Sequence, residues 1–568
     1  MPCDWNVLFD RGIPATYYPT VLPVISAKQM REIDRLTSEE YGVPSRALMQ
    51  AAANACFLEL NRRYSAKLAD QNVRIVCGPG NNGGDGAALA QLLSAAGAET
   101  EVILLARVDD TRGDARTNFD SVQKLSTEPE RHLTFIECKT VEDWKALSRP
   151  FTSFTIIVDA LLGTGLSRPL EGIFAEVVHE LNAAKNSNNA PFILSVDIPS
   201  GLDSDSYQLI GPTVAADLTV TFTAPKVANV VSPASHLNGR LVVADIGSPA
   251  LLLDGTISDL FVTQEDDVRR WLIATRYTLD SFKNTHGHVL VIAGSRGYTG
   301  AAVLCGNAAM RAGAGLTTIA TPNSAHATIA ATVMAEVMTT ALAETDRGAV
   351  TESAIDYVLQ LTARATVVAI GPGLTSEDER TRNFVHSLIT RRKTTVVVDA
   401  DALNCLAPWS ITPNNADELP IVLTPHPGEM LRLLGTTDKS ALNDRVAVAR
   451  SFATRNHVIL VLKGSPPLIA APDGRVFINP TGNPGLGTAG AGDTLTGLIA
   501  GFLAQEFAQT KHKPDVLQAT IAALYVGGLA GDLAALELGM RSMMASDIRG
   551  RIGDAICLLD PVGEGCSE

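Results

Sequence analysis

The segment Arg74–Gly86, RIVCGPGNNGGDG, places five glycines, two asparagines and one aspartate directly behind a short run of strand-forming residues. A loop so poor in side chains serves backbone contact. From Gly86 the chain continues as GAALAQLLSAAGA, a helical composition, so the unit reads as strand, glycine-rich turn and helix starting at Gly86. Backbone N–H groups at such a turn, reinforced by the positive end of the helix dipole, make a site for an anion or phosphate. A tight turn alone needs fewer glycines than this. The spacing matches neither G-x-G-x-x-G nor G-x-x-x-x-G-K-[ST], so neither the dinucleotide fingerprint nor a Walker A loop is read here.

Outward from this segment the same alternation repeats. VRIVCG, TEVILLA, LTFIEC, FTIIVDALLG, PFILSVDIPSG, LTVTFTA and GRLVVADIG are short β-rich runs separated by helical stretches, which implies a mostly parallel sheet covered by helices on both faces. Upstream lies a helical pair, with Ser26 as N-cap and Gly42 and Pro44 marking the break. A stretch without a strong apolar period, about 248–265, precedes a second series: HVLVIAGS, LTTIATP, ATVVAIGPG, TTVVVDAD, IVLTPHP, HVILVLKGS and RVFINP, with a helical end from Gly492. The two halves are both α/β, and their loops differ in kind. The expected organisation is an extension over 1–25, a first domain over 26–250 and a second over 262–562, divided near 255.

At 568 residues the chain is too long for one core. An apolar fraction of 46% with 19% charged residues is the composition of a folded chain, not a disordered one. The formal net charge of −15 argues against a nucleic-acid partner and against anionic membrane surfaces, leaving small molecules or proteins. The eight cysteines are scattered without a C-x-x-C pair, which reads as a reducing compartment. The N-terminal stretch lacks the basic and apolar regions of a signal peptide, and no run of eighteen apolar residues occurs, so the expected location is the cytoplasm.

Asp159, in IIVDALLGTGL, and Asp197, in LSVDIPSGLD, each stand just beyond an apolar strand. Ligands of open α/β sheets bind outside the carboxyl ends of the strands, so convergence of both with the Gly80–Gly86 loop is expected, although either carboxylate could simply cap a turn. In GTAGAGDTLTGLIAGFLA, Gly490, Ala491 and Gly492 precede Asp493 at the start of a long apolar helix. Such a turn exposes amides where negative charge develops, beside a carboxylate that can take a proton, an arrangement suited to phosphoryl transfer to a hydroxyl. An aspartate at a helix start is also a favourable cap, worth about 1 kcal/mol.

Taken together, GNNGGDG, DALLGTGL and DIPSGLD in the first half, with GPGL, TPHPGEM, VLKGS and GNPGLGTAGAGDTLTG in the second, resemble the bifunctional NAD(P)H-hydrate repair enzymes. The resemblance spans nearly the whole chain beyond the extension. It implies an N-terminal Rossmann-like three-layer epimerase domain and a C-terminal ribokinase-like α/β dehydratase domain. In that family the first domain interconverts the R and S hydrates of NADH and NADPH. The second phosphorylates the S form with a nucleotide, ADP in many fused enzymes or ATP, and loss of phosphate restores the coenzyme.

Carried over by motif, the resemblance implies that Asn81, Asn82, Gly83, Gly84 and Asp85, with Gly163, Thr164, Gly165, Leu166, Ser167, Arg168, Pro169 and Asp197, contact the hydrate in the epimerase. Asn82, Asp159 and Ser200 are implied as ligands of a potassium ion. Asp159 and Asp197 are both candidates for the epimerisation acid/base, and Asp197 is the choice here. In the dehydratase, Ala301, Gly373, His426 and Asp493 match hydrate-contacting positions, with Asp493 the catalytic base, and Lys463, Gly464, Ser465, Pro466, Pro467 and Gly492 match the nucleotide site. His426, between two prolines, could instead serve only its turn. Asp399 and Asp401 could bind magnesium through water or cap the next helix. One departure is the His-Lys-Gly run before the first dehydratase strand: SFKNTHGHVLVIAG keeps Lys283 and Gly287 but not their neighbours.

The competing reading is a ribokinase-like vitamin kinase whose phosphate stays on the product, with a nucleotide-sensing N-terminal module. Asp159, Asp197 and Ser200, together in the first half, favour repair. A homo-oligomer acting on small molecules is expected.

Overall fold

Strands β1 (Asn72–Cys77), β2 (Glu99–Leu104), β3 (Leu133–Glu137), β4 (Ile156–Ala160), β5 (Phe192–Val196), β6 (Leu218–Phe222) and β7 (Arg240–Ala244) form one all-parallel sheet in the order 3-2-1-4-5-6-7. This is the computed structural model of the chain, which describes residues 21–65, 67–411, 419–509 and 514–560. Most of the extension read over 1–25 therefore lies outside the described residues, as does the end of the 262–562 span. The described chain divides into two compact units between Ser258 and Asp259.

In the first unit the period-2 alternation of each strand feeds two cores. Ile75, Cys77, Val102, Leu104, Val158, Ala160, Leu194 and Val196 face one helical layer with Leu60, Leu89 and Phe119, whereas Val76, Ile103, Ile157 and Ile193 face Trp144, Val177 and Val178 on the other side. Both faces are covered, as the apolar strands require. Ser26 caps the helix Ala27–Glu39 through a capping box with Gln29, as its position in the sequence predicts. The order reverses between β1 and β4, the switch point where doubly wound sheets hold ligands.

The glycine-rich segment differs from its reading. The helix starts at Asn81, with Gly80 as N-cap, and not at Gly86, so NNGGDG is the first helical turn and a half. Close packing explains the glycines. A Cβ on Gly83 would collide with the Gly78 carbonyl, one on Gly84 would stand 2.8 Å from the Ala115 Cα, and one on Gly86 would stand 2.6 Å from the Ala160 Cβ. Helix propensity is sacrificed so that the helix can lie against β1 and β4.

In the second unit β8 (Leu260–Val262), β9 (His288–Ile292), β10 (Leu316–Pro322), β11 (Met338–Leu342), β12 (Val367–Ile370), β13 (Thr395–Val398), β14 (Ile421–Leu423), β15 (Ile459–Leu462), β16 (Leu468–Ala470) and β17 (Val476–Ile478) line up as 8-17-16-15-14-13-12-9-10-11. β9 to β15 are mutually parallel, β16 is antiparallel to its neighbours β15 and β17, and β8 pairs parallel with β17. The weakly periodic 248–265 stretch holds a short helix, Ala250–Asp254, in the first unit and β8 in the second. The switch point lies between β9 and β12. There Gly294 N donates to Pro372 O (2.8 Å) and Ser295 Oγ to Gly373 O (2.7 Å).

The helix Ala491–Gln509 backs this sheet, and a second apolar helix, Val516–Leu538, packs on it. Ala491–Gln509 lies against Thr299–Arg311, its Gly497 and Gly501 leaving room for the Cys305 carbonyl and for Ala309 and Ala312. Val516–Leu538 is long and apolar enough to cross a membrane by composition (mean hydropathy 1.6), yet 61% of that window is buried inside the protein.

Candidate active sites

In the first unit the ladder sets Val76 beside Asp159 and Asp159 beside Ser195, so the carboxyl ends of β1, β4 and β5 bring together the helix start after Gly80, Asp159 and Asp197. Asp159 is buried and accepts from Ser195 Oγ (2.8 Å), Ser200 N (2.9 Å), Ser200 Oγ (2.6 Å) and Leu161 N (3.4 Å). Burial pushes its pKa up despite these bonds. Among the described residues no lysine or arginine forms an ion pair with it. Asn82, 8% exposed, has a side-chain amide nitrogen with no partner, and its Oδ1 lies against Gly163. A buried carboxylate without a counter-cation and the serine hydroxyl bonded to it are hard oxygens of the kind a cation takes; Asn82 can add its Oδ1, whereas its unpartnered nitrogen is a donor and cannot ligate a cation.

Asp197 adopts φ +65°, and its N–H donates to Val220 O (2.7 Å). Its Oδ1 accepts from Lys226 Nζ (2.6 Å) and Thr221 Oγ1 (3.0 Å), and the same ammonium donates to Thr221 Oγ1 (2.9 Å) and Phe222 O (3.2 Å). Lys226 is fully buried. Burial first, then the Asp197 and Asp34 charges, raise Asp85 well above the usual carboxylate range. Asp34, on the helix Ala27–Glu39, is pushed up to about 6 by burial, with Lys226 opposing and Asp197 adding, and its Oδ1 has no partner. The segment Gly163–Pro169 forms the open side: Gly165, Ser167, Arg168 and Pro169 are exposed, Gly163, Thr164 and Leu166 partly so. Asn81 is exposed at the helix start.

In the second unit Asp399 directly follows β13 and Lys463 directly follows β15. Asp399, 1% exposed, accepts from Lys463 Nζ (2.7 Å) and Thr496 Oγ1 (2.7 Å). Both its oxygens are engaged, and it does not cap the following helix with its side chain. A Cβ on Gly492 would stand 3.3 Å from Lys463 Nζ and 3.7 Å from Asp399 Oδ2, which brings the helix start onto this pair. Gly490 turns the chain with φ +84°, a conformation glycine adopts without strain, so that the helix opens at Ala491 with Asp493 in its first turn. Burial, then the Asp399 charge, against the opposing effect of Lys463, lift Asp493 to about 7. Burial pulls Lys463 down, but Asp399, Glu429 and Asp493 hold it above its ordinary value.

His426 caps the short helix Pro427–Leu433: Gly428 N donates to its Nδ1 (3.0 Å), and its Nε2 lies 3.3 Å from Glu429 Oε1. The turn-serving role of this histidine is thus present in the geometry. Burial raises Glu429 to about 7, and burial and Lys463 lower His426. Gly373, at φ +64°, faces Tyr298 and Ala301 across the switch point, an added Cβ standing 3.0 Å from the Ala301 Cβ. Asp401 accepts from Thr375 N (2.9 Å). Arg445 donates to Ser465 O (3.1 Å) and Lys463 O (3.3 Å) and fixes the Lys463–Pro467 turn.

The model of the NAD(P)H-hydrate dehydratase family matches residues 289–553, and that of the YjeF-related protein N-terminus matches 45–228. The bifunctional NAD(P)H-hydrate repair enzyme Nnr of Moorella thermoacetica is 42% identical over 537 residues, covering 92% of this chain and 95% of that protein. The chain belongs to the bifunctional NAD(P)H-hydrate repair enzyme family. The enzymes of the same name from Thermofilum pendens and Escherichia coli are 37% and 32% identical over 91% and 92% of this chain and 93% and 92% of their own lengths. An ADP/ATP-dependent NAD(P)H-hydrate dehydratase from Bacillus subtilis, co-crystallised with ATP and Mg2+, is 30% identical with a TM-score of 0.44, covering 53% of this chain and 98% of that one. Similarity running through both halves sets aside the vitamin-kinase alternative.

Lys226, Thr221, Asp34 and Arg445 escaped the sequence reading. Lys226 left a signal: TFTAPKVAN carries a lone lysine just past the end of a buried strand adjacent to the one that ends at Asp197. Asp34 left none, being one charge among many on an amphipathic helix.

Proposed function

We propose that residues 26–250 epimerise the R and S hydrates of NADH and NADPH, and that residues 262–562 return the S hydrate to the reduced coenzyme with consumption of ADP or ATP. The observation that carries the second half is Asp493, lifted to about 7, in the first turn of a helix whose start lies on Lys463 and Asp399. A carboxylate near neutrality is matched to taking a proton from a hydroxyl. Asp493 takes the ring-hydroxyl proton as that oxygen bonds to the transferring phosphorus and the nucleotide's phosphoanhydride bond breaks. The amides at Gly490–Gly492 face the phosphoryl oxygens, and Lys463 to Pro467 hold the nucleotide. Phosphate, a better leaving group than hydroxide, then leaves with the C–O electron pair while the adjacent ring carbon gives up its proton to water, the C–H pair closing the ring double bond. Ala301, Gly373 and His426 seat the hydrate.

Magnesium would enter on the nucleotide's phosphates. Among the described residues no group of three His, Cys, Asp or Glu could cage an ion, and the oxygens of Asp399 are already engaged, so Asp399 and Asp401 would meet it only through water. When bound, the ion neutralises phosphate charge.

In the epimerase, Asn82, Asp159 and Ser200 would hold potassium, which supplies the countercharge Asp159 lacks. Asn81 to Asp85 and Gly163 to Pro169 line the hydrate pocket. Asp197, ion-paired with Lys226, serves as the base, and the raised Asp85 and Asp34 carboxyls are the neighbouring proton store. A cytoplasmic homo-oligomer acting on these small molecules, without nucleic-acid or membrane partners, completes the proposal, in keeping with the net charge of −15. The test is incubation with mixed NADH hydrates, with and without ADP or ATP, both epimers being followed chromatographically. Epimer exchange without nucleotide and full recovery of NADH with it are expected; consumption of neither epimer would overturn the proposal.

A further inference from the structure

The loop that leads into the Asp493 turn is held from behind by a residue no motif singles out. Gly482 N donates to Asp532 Oδ2 (2.9 Å) and Asn483 Nδ2 to Asp532 Oδ1 (2.8 Å). Asn483 Oδ1 in turn accepts from Gly485 N (2.9 Å), and Thr481 Oγ1 donates to Tyr525 O (2.8 Å). Tyr525 and Asp532 are both on the helix Val516–Leu538. The same helix face carries Gly528 and Gly531, where a Cβ would collide with Thr481 and crowd Leu486. Helix and loop are therefore in backbone-close contact along one stripe, and Asp532 supplies two acceptors to two donors within it. Only a carboxylate accepts at both positions; an asparagine would turn an amide hydrogen toward one of them.

We infer that Asp532 is a positioning residue for phosphoryl transfer: through Gly482 and Asn483 it sets the course of the loop Thr481–Gly490, and thereby the place of the Gly490–Gly492 amides and of Asp493. The inference rests on the dehydratase reading of the second unit. Asp532 touches neither the Lys463–Asp399 pair nor Asp493 by any hydrogen bond found among the described residues; its effect is transmitted along eight residues of chain. Misplacement of reacting groups by about 1 Å costs on the order of 100-fold in rate, so a displaced loop should lower kcat far more than it raises KM.

The test compares the full chain with Asp532→Asn and with the exchange Asn483→Asp/Asp532→Asn. In the exchange, the carbonyl oxygen of residue 532 can accept from Gly482 N, its amide can donate to the new carboxylate, and that carboxylate can still accept from Gly485 N. Expected for Asp532→Asn is a fall of about 10- to 100-fold in kcat for nucleotide-dependent recovery of NADH, with KM for the hydrate changed less than about twofold. Recovery to within about threefold of the parent is expected in the exchange, since every donor regains an acceptor, with the bond between residues 483 and 532 reversed. Amide hydrogen exchange over 481–490 should quicken in the single variant and return to the parental rate in the double one. Unchanged kcat in Asp532→Asn, or an exchange variant as impaired as the single one, would overturn the inference. Unchanged amide exchange in the single variant would do so independently of any activity. Absence of turnover in the parent itself would count against the dehydratase reading instead.

Discussion

Asp493 and Asp197 are carboxylates set to different tasks by their surroundings. Asp493 has lost water and gained anionic neighbours, which raises it from 3.8 to about 7, while Asp197 has a buried ammonium at 2.6 Å. Dehydration should accordingly rise with pH through about 7 and level off above it, because the base must be ionised; a stopped-time assay of kcat/KM from pH 5.5 to 8.5 measures it, the apparent value belonging to the coupled Asp493 and Glu429 cluster. The stability contribution has the opposite sign. A raised carboxyl binds its proton more tightly in the folded chain, so its contribution is complete below 3.8 and is lost as pH climbs through about 7. Lys226→Met strands the Asp197 charge and should destabilise the first unit by about 3–5 kcal/mol, seen as an earlier unfolding transition with loss of epimer exchange.

At the scale of elements, the glycine-rich helix start is where folding and function meet. Gly83→Ala places a methyl against the Gly78 carbonyl and should cost about 1–3 kcal/mol while displacing Asn82; epimer exchange would fall and nucleotide-dependent dehydration would stay, both measurable in one chain. The same residues show why the helix boundary was misread from sequence. Five glycines in nine residues signal a loop by propensity, and the contacts that favour a helix there come from Ala115 and Ala160, far away in the chain. The strands and the Ser26 cap were legible because their signals are local: alternation of apolar residues in one case, a serine three before a glutamine in the other. Asp159, Asp197 and Asp493 were legible because each ends a strand or opens a helix beside glycine. Lys226 and Arg445 were not, since their partners lie 29 and 18 or more residues off and nothing local marks the pairing.

At the scale of the whole molecule, one chain carries two units built on mostly parallel sheets, each with its polar groups beyond the carboxyl ends of strands, and family membership spans both. If each unit holds one activity, a mixture of Asp159→Ala and Asp493→Asn chains should convert both hydrate epimers completely, although the Asp493→Asn chain alone recovers no NADH and the Asp159→Ala chain alone leaves the R form behind apart from its spontaneous exchange. The most direct measurement is nucleotide-dependent recovery of NADH absorbance from purified S hydrate by the Asp493→Asn chain. A loss of at least about 100- to 10,000-fold with undiminished epimer exchange is predicted; recovery at the parental rate would contradict the assignment of Asp493 as the base.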